Sequence, residues 1–335
     1  MKPRVAVVVR EKFKDFLLPA RITEHLGNFA DYQVVNCDLK NSPAELAASF
    51  AGMDGAITSW EIPRLDRPVL DKCDRLKIIS HAGGMVRYFL DEEVYVLKPG
   101  IVICNASNVM AQPVAEFALT AALACLRHLW FFREWVAGSE RWEEYEPEKN
   151  VSLLRKKVGL VGLGQIAREF IKLVRPFNVE LHVFSNHLDE QECAREGFIK
   201  TDLSGIFSSC DVIVLSAANT PENRHMIRRE HLRSIKEGGV LVNIARGALV
   251  DEQALIEELR SGRFLAALDV TDPEPPAADN PLRDMPNVLL TPHIAGPTPG
   301  QRIWMMEEAV RNLEAFFNGQ PVNGLIDLKR FRYMA

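Results

Sequence analysis

The segment 158–167 constrains the fold of this chain more than any other, because two glycines follow directly on a short apolar run. Residues 158–161 are predicted to form a buried strand, and Gly162 and Gly164 then begin the pattern G-x-G-x-x-A. Apolar residues recur at helical spacing over residues 166–174. A strand, a glycine turn and a helix N-terminus in this order predict a dinucleotide site, since the glycines let the backbone approach a pyrophosphate. A plain tight turn is the alternative interpretation.

Strand and helix patterns alternate along the chain, and this alternation predicts two parallel sheets of the α/β class. At 335 residues the chain is long enough for two domains. The first set of strands is expected at residues 5–9, 33–37, 55–58, 76–80 and 101–104, and the second at residues 158–161, 180–184, 211–216, 239–244, 265–270 and 287–291. Six strands of the second kind suit a Rossmann domain. Helices are expected at residues 13–25, 165–174, 229–235 and 252–260, the last with Asp251 as N-cap and Gly262 as stop.

Two further helices are expected outside this alternation. Residues 301–317 are amphipathic and are predicted to return to the first domain. Residues 111–136 are apolar around most of the helix, which suits burial between domains or at a subunit interface. The aromatic residues near the end of that helix favour a contact between two copies of the chain, so we expect a homodimer. These residues are Trp130, Phe131, Phe132 and Trp135.

Composition and charge exclude several classes of partner. Apolar residues make up 47% and charged residues 25% of the chain, and the net charge is −5 with no basic run. Nucleic acid and anionic membranes are therefore not expected as partners. We expect no membrane span, because no apolar run reaches about 18 residues, and no signal peptide, because the N-terminal apolar run is too short. The six cysteines are scattered, which predicts buried free thiols in the cytoplasm and no metal site.

The position where a Rossmann domain usually carries an acidic residue for the ribose holds none in this chain. Ser185 lies 18 residues past Ala167, and Asn186 and His187 follow it. A carboxylate there would repel the 2′-phosphate of NADP, whereas these side chains can hydrogen-bond it. Arg, the strongest phosphate clamp, is absent at these positions. We therefore expect NAD or NADP as the cofactor, with NADP accepted at least as well as NAD.

Three polar residues follow the last three predicted strands: Arg246, Glu274 and His293. Parallel strands place such residues at one edge of the sheet, where the nicotinamide is expected. Reduction of a 2-keto acid needs a fixed cation for the carboxylate, which suits Arg246, and a general acid, which suits His293. Glu274 would keep the histidine protonated by pairing with it. Taken singly, each residue also has a purely structural interpretation. Arg246 can form a surface salt bridge, Glu274 can lie in a solvated loop, and His293 can cap a chain end.

Five other residues are candidates on weaker grounds. Asp269 ends the fifth strand of the second set and is expected to accept a hydrogen bond from the nicotinamide carboxamide, or to cap a loop. Trp60, Gly83 and Gly84 follow strands of the first set. The two glycines can present N–H groups to an anionic substrate, with a simple strand-to-helix turn as the alternative. His81 is the one other histidine placed to contact substrate.

At these residues the chain resembles the D-isomer-specific 2-hydroxyacid dehydrogenases, a family of glyoxylate/hydroxypyruvate reductases, D-lactate dehydrogenases and phosphoglycerate dehydrogenases. The resemblance covers nearly the whole chain and is most specific in residues 158–167, 238–251, 267–276 and 291–296. It implies that Arg246 binds substrate, that Glu274 and His293 form an acid–base pair, and that Asp269 touches the nicotinamide.

The resemblance also implies a domain layout. A Rossmann cofactor domain, residues 106–298, is inserted into a flavodoxin-like substrate domain made of residues 1–105 and 299–335. Similar enzymes are usually dimers built around the segment that matches residues 111–135. The cofactor contacts expected on this basis come from Gly162, Gly164, Gln165, Ile166, Ser185, Asn186, His187, Ala217, Ala245 and Asp269.

The sequence departs from the family pattern around the substrate and nicotinamide. The substrate loop of the family reads A-G-x-G-x-D-N, whereas Met85 and Arg87 stand here at the second glycine and the aspartate. The usual His-x-Pro is Ser216-Ala217-Ala218. These departures leave the substrate open. Two other functions also remain open: a dinucleotide-sensing interaction protein without significant turnover, and a different oxidoreductase such as a phosphite-oxidising enzyme.

Overall fold

The computed structural model describes residues 1–38, 43–138, 147–186 and 188–333. The chain divides into two compact units, the first made of Met1–Met110 with Pro297–Ala335 and the second of Ala111–Gly296. The sequence placed the corresponding boundaries at 105/106 and 298/299.

The described residues form twelve strands and fourteen α-helices. The strands are β1 (Arg4–Val9), β2 (Asp31–Asn36), β3 (Gly55–Thr58), β4 (Ile78–His81), β5 (Val102–Asn105), β6 (Lys157–Val161), β7 (Glu180–Phe184), β8 (Phe198–Lys200), β9 (Val212–Leu215), β10 (Val240–Asn243), β11 (Leu265–Leu268) and β12 (Val288–Leu290). The helices are α1 (Glu11–Leu17), α2 (Ala20–Phe29), α3 (Pro43–Phe50), α4 (Arg67–Leu70), α5 (Val94–Leu97), α6 (Ser107–Leu126), α7 (Leu129–Gly138), α8 (Gln165–Val174), α9 (Glu190–Glu196), α10 (Leu203–Ser209), α11 (Arg229–Ser234), α12 (Glu252–Leu259), α13 (Pro299–Phe317) and α14 (Leu328–Tyr333).

The first unit contains a parallel sheet with the strand order β2-β1-β3-β4-β5, which is the flavodoxin-like order. Both faces of the sheet are covered, so β1 is apolar at consecutive positions and not alternately. Val5, Val7 and Val9 pack against one face's helices, and Ala6 and Val8 belong to the core on the other face. The predicted return of the last long helix is confirmed, because α13 packs on β3, β4 and β5.

A buried carboxylate holds part of the first unit together. The Glu308 side chain in α13 is 5% exposed and accepts hydrogen bonds from Asn108 Nδ2 at 2.9 Å, Asn323 Nδ2 at 2.9 Å and Arg311 Nη2 at 2.9 Å. Burial opposes the charged form of Glu308, but these hydrogen bonds outweigh burial and lower the pKa of the carboxyl below its usual value.

The second unit contains a parallel sheet with the order β12-β11-β10-β9-β6-β7-β8, which is the Rossmann order with one added edge strand. The expectation of six strands was wrong by one, because β8 has only three residues and is too short to show a periodic pattern. The strand order reverses between β6 and β9, which lie side by side with Val161 opposite Leu215. Ligands of such sheets bind beyond the strand ends at this switch point.

Two predicted helices are broken. The helix expected at 13–25 is α1 followed by α2, because Pro19 lacks an N–H and disfavours a helical conformation at Leu18. The helix expected at 111–136 is α6 followed by α7, with His128 between them at a φ of +45°. Neither Gly nor Pro marks this second break, and His tolerates the left-handed region better than most residues. Asp251 does cap α12 by accepting from the Ala254 N–H at 3.1 Å.

The expectation that no apolar segment reaches the length of a membrane span needs a correction. Helix α6 is long and apolar enough to cross a membrane, with a mean hydropathy of 1.6 over its most apolar window. Half of that window is buried within the structure, and the interior helix of a globular domain has the same composition. The finding is therefore weak evidence for a span.

Candidate active site

The glycine turn after β6 lies at the switch point of the second sheet. Gly162 has a φ of +99°, which side-chain-bearing residues rarely adopt. A Cβ at this position would lie 2.7 Å from both the Cα and the N of Ala217, on the neighbouring strand end. The Ser216 hydroxyl also donates to the Gly162 carbonyl at 3.2 Å. The turn therefore strongly favours glycine, and it lies close against the backbone of Ala217.

Helix α8 begins at Gly164 with an open N-terminus. Gly164 is the N-cap, and no side chain among the described residues caps the helix by a hydrogen bond. Apart from its chain neighbours and its own helix, a Cβ on Gly164 would meet no atom of the described residues within 4 Å, so the described part of the chain leaves space beside this backbone. The first turn contains Gln165 and Ile166. A turn that closes on Ala217 and a helix end with open space in front of it fit the pyrophosphate of a dinucleotide.

The end of β7 contains the residues expected to face the ribose. Ser185 is half-buried and Asn186 is exposed, while His187 lies outside the described residues. Asp189 is the first acidic residue beyond them, and its carboxylate accepts from the Glu192 N–H at 2.7 Å as the N-cap of α9. The Asp189 carboxylate is therefore already engaged at the N-terminus of α9.

Arg246 follows β10 and is fixed by the strand before it. Asn243 is 1% exposed; its Nδ2 donates to the Arg246 carbonyl at 3.0 Å, and its Oδ1 accepts from the Ala245 N–H at 3.1 Å. The guanidinium donates through Nη1 to the Ala245 carbonyl at 2.6 Å. Burial lowers the pKa of Arg246, and the negative charge of Glu274 acts in the opposite direction. The cation is thus partly desolvated and senses the Glu274 carboxylate.

Glu274 and His293 form a hydrogen-bonded pair between Oε1 and Nδ1. Their side chains are 38% and 45% exposed, so both are accessible to a small molecule. No described residue makes a hydrogen bond to His293 Nε2, which leaves this atom available for proton transfer. The His293 backbone has a φ of +53°, and residues other than glycine held in this region carry strain of about 1–3 kcal/mol.

Asp269 directly follows β11, contacts the segment that carries His293 and is 2% exposed. Its backbone carbonyl accepts from the His293 N–H at 3.0 Å, and its carboxylate is directed to the segment that carries His293. A cavity of about 530 Å³ opens beside the pair, lined by Thr291, Leu290, Arg283 and the two residues themselves. Since β10, β11 and β12 are adjacent strands, Arg246, Asp269 and His293 extend from one sheet edge.

The substrate residues expected in the first sheet lie in the first unit. Trp60 and Gly83 each follow their strand by two residues, and Thr58 and His81 are partners in the β3–β4 register. The Arg302 guanidinium stacks on the Trp60 ring at 5.4 Å. Among the described residues the N–H groups of Gly83 and Gly84 have no acceptor, while the Gly83 carbonyl accepts from the Ala106 N–H at 3.0 Å. The loop is fixed through its carbonyls.

His81 is a core residue of the first unit. It is 1% exposed, its Nδ1 lies 3.0 Å from the Thr58 hydroxyl, and burial lowers the pKa of His81 to about 3. A Cβ on Gly83 would lie 2.2 Å from His81 Nε2, so the imidazole packs under the glycine loop. A neutral, enclosed imidazole is poorly suited to contact substrate.

Two residues that organise the site were missed in the sequence. Asn243 holds both neighbours of the Arg246 turn, and Thr291 bonds the Asp269 carboxylate. A lone amide at the end of the apolar strand Val240–Asn243 is the signal that identifies Asn243, since buried polar groups are normally hydrogen-bonded. Thr291 has no such signal, because a threonine at a strand end is ordinary.

Comparison with known proteins gives a consistent set of relatives. The family model of the D-isomer specific 2-hydroxyacid dehydrogenase NAD binding domain matches residues 119–295. A glyoxylate reductase of Thermococcus kodakarensis is 33% identical over 284 residues, which are 81% of this chain and 83% of the relative. A hydroxypyruvate reductase of Thermotoga maritima is 35% identical over 235 residues, covering 69% and 74% of the two proteins.

Solved structures agree in fold. The NADPH-dependent glyoxylate/hydroxypyruvate reductase of Sinorhizobium meliloti, in complex with NADP and malonate, is 27% identical with a TM-score of 0.72, and the match covers 100% of both chains.

The chain spans a smaller part of two D-3-phosphoglycerate dehydrogenases, 43% of the Methanocaldococcus jannaschii protein and 50% of the Bacillus subtilis protein.

Proposed function

The chain belongs to the D-isomer specific 2-hydroxyacid dehydrogenase family, and we propose that it transfers a hydride between NAD(P)H and a small 2-keto acid to give a D-2-hydroxy acid. The observation that carries this proposal is the exposed, hydrogen-bonded Glu274–His293 pair on the sheet edge that also bears Arg246. A fixed cation and a paired imidazole are the two groups that such a reduction requires.

Arg246, Glu274 and His293 have separate roles in the proposed reaction. When bound, the dinucleotide supplies the hydride. Arg246 binds the substrate carboxylate, and its planar guanidinium suits a bidentate contact. Glu274 holds Nδ1 of His293, so the proton that neutralises the new alkoxide leaves from Nε2. The imidazole is thereby neutralised beside the Glu274 carboxylate, and it is reprotonated from solvent through its exposed edge.

We propose further that NADP is used at least as well as NAD. Neither Ser185 nor Asn186 is acidic, and Asp189 is used in its own helix cap. The NADP complex of the Sinorhizobium meliloti relative supports the same choice. Steady-state kinetics with NADPH and NADH test this proposal, and a clear preference for NADH in kcat/KM would contradict it.

The first unit is proposed to contribute substrate contacts of its own. The N–H groups of Gly83 and Gly84, which have no acceptor among the described residues, suit the carboxylate of a 2-keto acid, and Trp60 presents a ring that lies against the Arg302 guanidinium. Gly84→Ala, which places a methyl group against the flexible end of Met110, tests the contact by its effect on the KM of the keto acid.

We also propose a cytoplasmic homodimer. No residue of α7 is buried in the single chain, and Leu129 is 59% exposed beside the aromatic residues of this helix. An apolar helix face of this kind favours a second copy. Sedimentation equilibrium tests the dimer, and cell fractionation tests the location.

The experiment that tests the reaction is a panel of keto acids with both reduced cofactors. Glyoxylate, hydroxypyruvate, pyruvate and phenylpyruvate are offered with NADPH and with NADH, and cofactor oxidation is followed at steady state. Turnover with at least one keto acid is expected. Tight cofactor binding without turnover on a broad panel would instead favour a dinucleotide-sensing interaction protein, and phosphite-dependent reduction of NAD would reveal the other oxidoreductase.

A further inference from the structure

The carboxylate of Asp269 is used within the protein. Its Oδ1 accepts from the Thr291 hydroxyl at 2.7 Å and from the Ile294 N–H at 2.8 Å, and its Oδ2 accepts from the Ala295 N–H at 2.8 Å. The Asp269 carbonyl also accepts from the His293 N–H, so Asp269 accepts four hydrogen bonds from residues 291–295. The contacts bracket His293 on both sides.

The segment that Asp269 holds is one that would not keep its shape by itself. Residues 291–296 follow the end of β12 and belong to no helix or strand, and His293 has a left-handed backbone at a φ of +53°. Such a conformation persists only where the surrounding structure imposes it. Asp269 is 2% exposed, so its hydrogen bonds are not exchanged for water. The backbone of His293 is thereby fixed while its side chain remains exposed.

We propose that Asp269 is the positioning residue of His293: its carboxylate clamps the strained 291–295 turn and so aims the imidazole at Glu274. The catalytic consequence rests on the proposed function, whereas the clamp itself is a property of the folded chain. A substitution at Thr291 removes one hydrogen-bond donor of the clamp and leaves the side chains of Asp269, His293 and Glu274 unchanged.

This role differs from a contact with the nicotinamide, and the two roles predict different kinetics. A contact residue contributes to cofactor affinity, so its loss raises the Kd and KM of the dinucleotide. A positioning residue contributes to the geometry of the proton donor, so its loss lowers kcat while the dinucleotide binds as before. A donor displaced by about 1 Å loses on the order of 100-fold in rate.

The matched substitutions are Thr291→Val and Thr291→Ser. Valine keeps the shape and removes the hydroxyl that donates to Oδ1, whereas serine keeps the hydroxyl. Thr291→Val is expected to lower kcat by about 10–100-fold with the Kd of NADPH unchanged, and Thr291→Ser to stay near the wild-type kcat. Asp269→Asn, which turns an amide N–H toward the Ala295 N–H or the Thr291 hydroxyl, is expected to lower kcat further.

A spectroscopic measurement keeps the test independent of the substrate. With ¹³C,¹⁵N-labelled histidine, the ring signals of His293, assigned through His293→Gln, report the hydrogen bond of Nδ1 to Glu274. Thr291→Val is expected to shift or broaden these signals, and Thr291→Ser to leave them in place. If no keto acid is turned over by the wild-type protein, the proposed function fails, but these spectra still decide the clamp.

Two results would overturn the proposal. The first is a Thr291→Val protein with the kcat and the His293 signals of the wild type, because the hydroxyl bond would then have no influence on the imidazole. The second is a Thr291→Val or Asp269→Asn protein that keeps its kcat but binds NADPH more weakly, which would assign Asp269 to the cofactor.

Discussion

The glycine turn after β6 gives the sharpest quantitative prediction, because three glycines of the second unit differ in backbone conformation, crowding and expected contact with the dinucleotide. Gly162 combines a positive φ with a crowded position, Gly262 has a positive φ of +68° in open space, and Gly164 has neither feature. Substituting alanine at each position separates backbone strain, steric overlap and contact with the dinucleotide.

The magnitudes follow from these surroundings. Gly262→Ala is expected to lower the free energy of unfolding by about 1–2 kcal/mol, the penalty for a left-handed residue with a Cβ. Gly162→Ala adds an overlap with the backbone of Ala217, at 2.7 Å, to the same strain of about 1–2 kcal/mol. Overpacking costs about 1–3 kcal/mol more, so the total is roughly 2–5 kcal/mol. The expected fall in Tm is on the order of 10 °C.

Gly164→Ala is expected to behave in the opposite way. Its free energy of unfolding should fall by no more than about 1 kcal/mol, because alanine is a poorer N-cap than glycine but the new methyl group meets no described atom beyond its chain neighbours and its own helix within 4 Å. The methyl group would occupy the space proposed for the pyrophosphate, so the Kd of NADPH should rise at least about tenfold, or 1.4 kcal/mol.

Urea unfolding and fluorescence titration with NADPH measure the two quantities on the same samples. Equal stabilities of Gly162→Ala and Gly262→Ala would show that the Ala217 contact yields freely. A Gly164→Ala protein that binds NADPH like the wild type would remove the pyrophosphate from the α8 N-terminus, and the reasoning about this site would be refuted.

Three further predictions concern other parts of the chain. His293→Ala should lower kcat by about 10²–10⁴-fold with the Kd of NADPH unchanged, and a loss below about tenfold in steady-state assays would refute the proton-donor role. Arg246→Lys should raise the KM of the keto acid and lower kcat, because an ammonium cannot replace the guanidinium fork; unaltered kinetics would contradict it. Glu308 has a lowered pKa in the folded state, so its contribution to stability is present above its unfolded value of about 4.5 and is lost as the pH falls through the folded value. Glu308→Gln should therefore lower the free energy of unfolding by roughly 1–3 kcal/mol at pH 7. In urea unfolding, the difference in this free energy between pH 7 and pH 3 should be smaller than in the wild type. An unchanged difference would exclude this carboxylate as a source of acid sensitivity.

The order of elements could be predicted because buried parallel strands and the helices between them have distinct patterns. Runs such as Val5–Val9 are apolar at every position, since both faces of a parallel sheet are covered. Short or interrupted elements were lost for the same reason: β8 has too few residues to show a pattern, and the break at His128 carries no glycine or proline. The apolar pattern of residues 111–136 continues through His128, so it does not reveal the break.

The residues of the candidate site also differ in whether the sequence alone could predict them. Arg246, Glu274 and His293 could be proposed from sequence because each is a charged or titratable residue in the segment that follows one of the last three strands. The clamp on His293 could not, because it consists mainly of backbone N–H groups that meet an aspartate some 25 residues away in sequence. Asp269 looks from sequence like a residue that faces a ligand, and only the three-dimensional arrangement shows its oxygens turned to Thr291, Ile294 and Ala295. An acidic residue beside a catalytic histidine therefore has two readings, contact or support, and they are separated by counting the donors that the protein already supplies to its carboxylate.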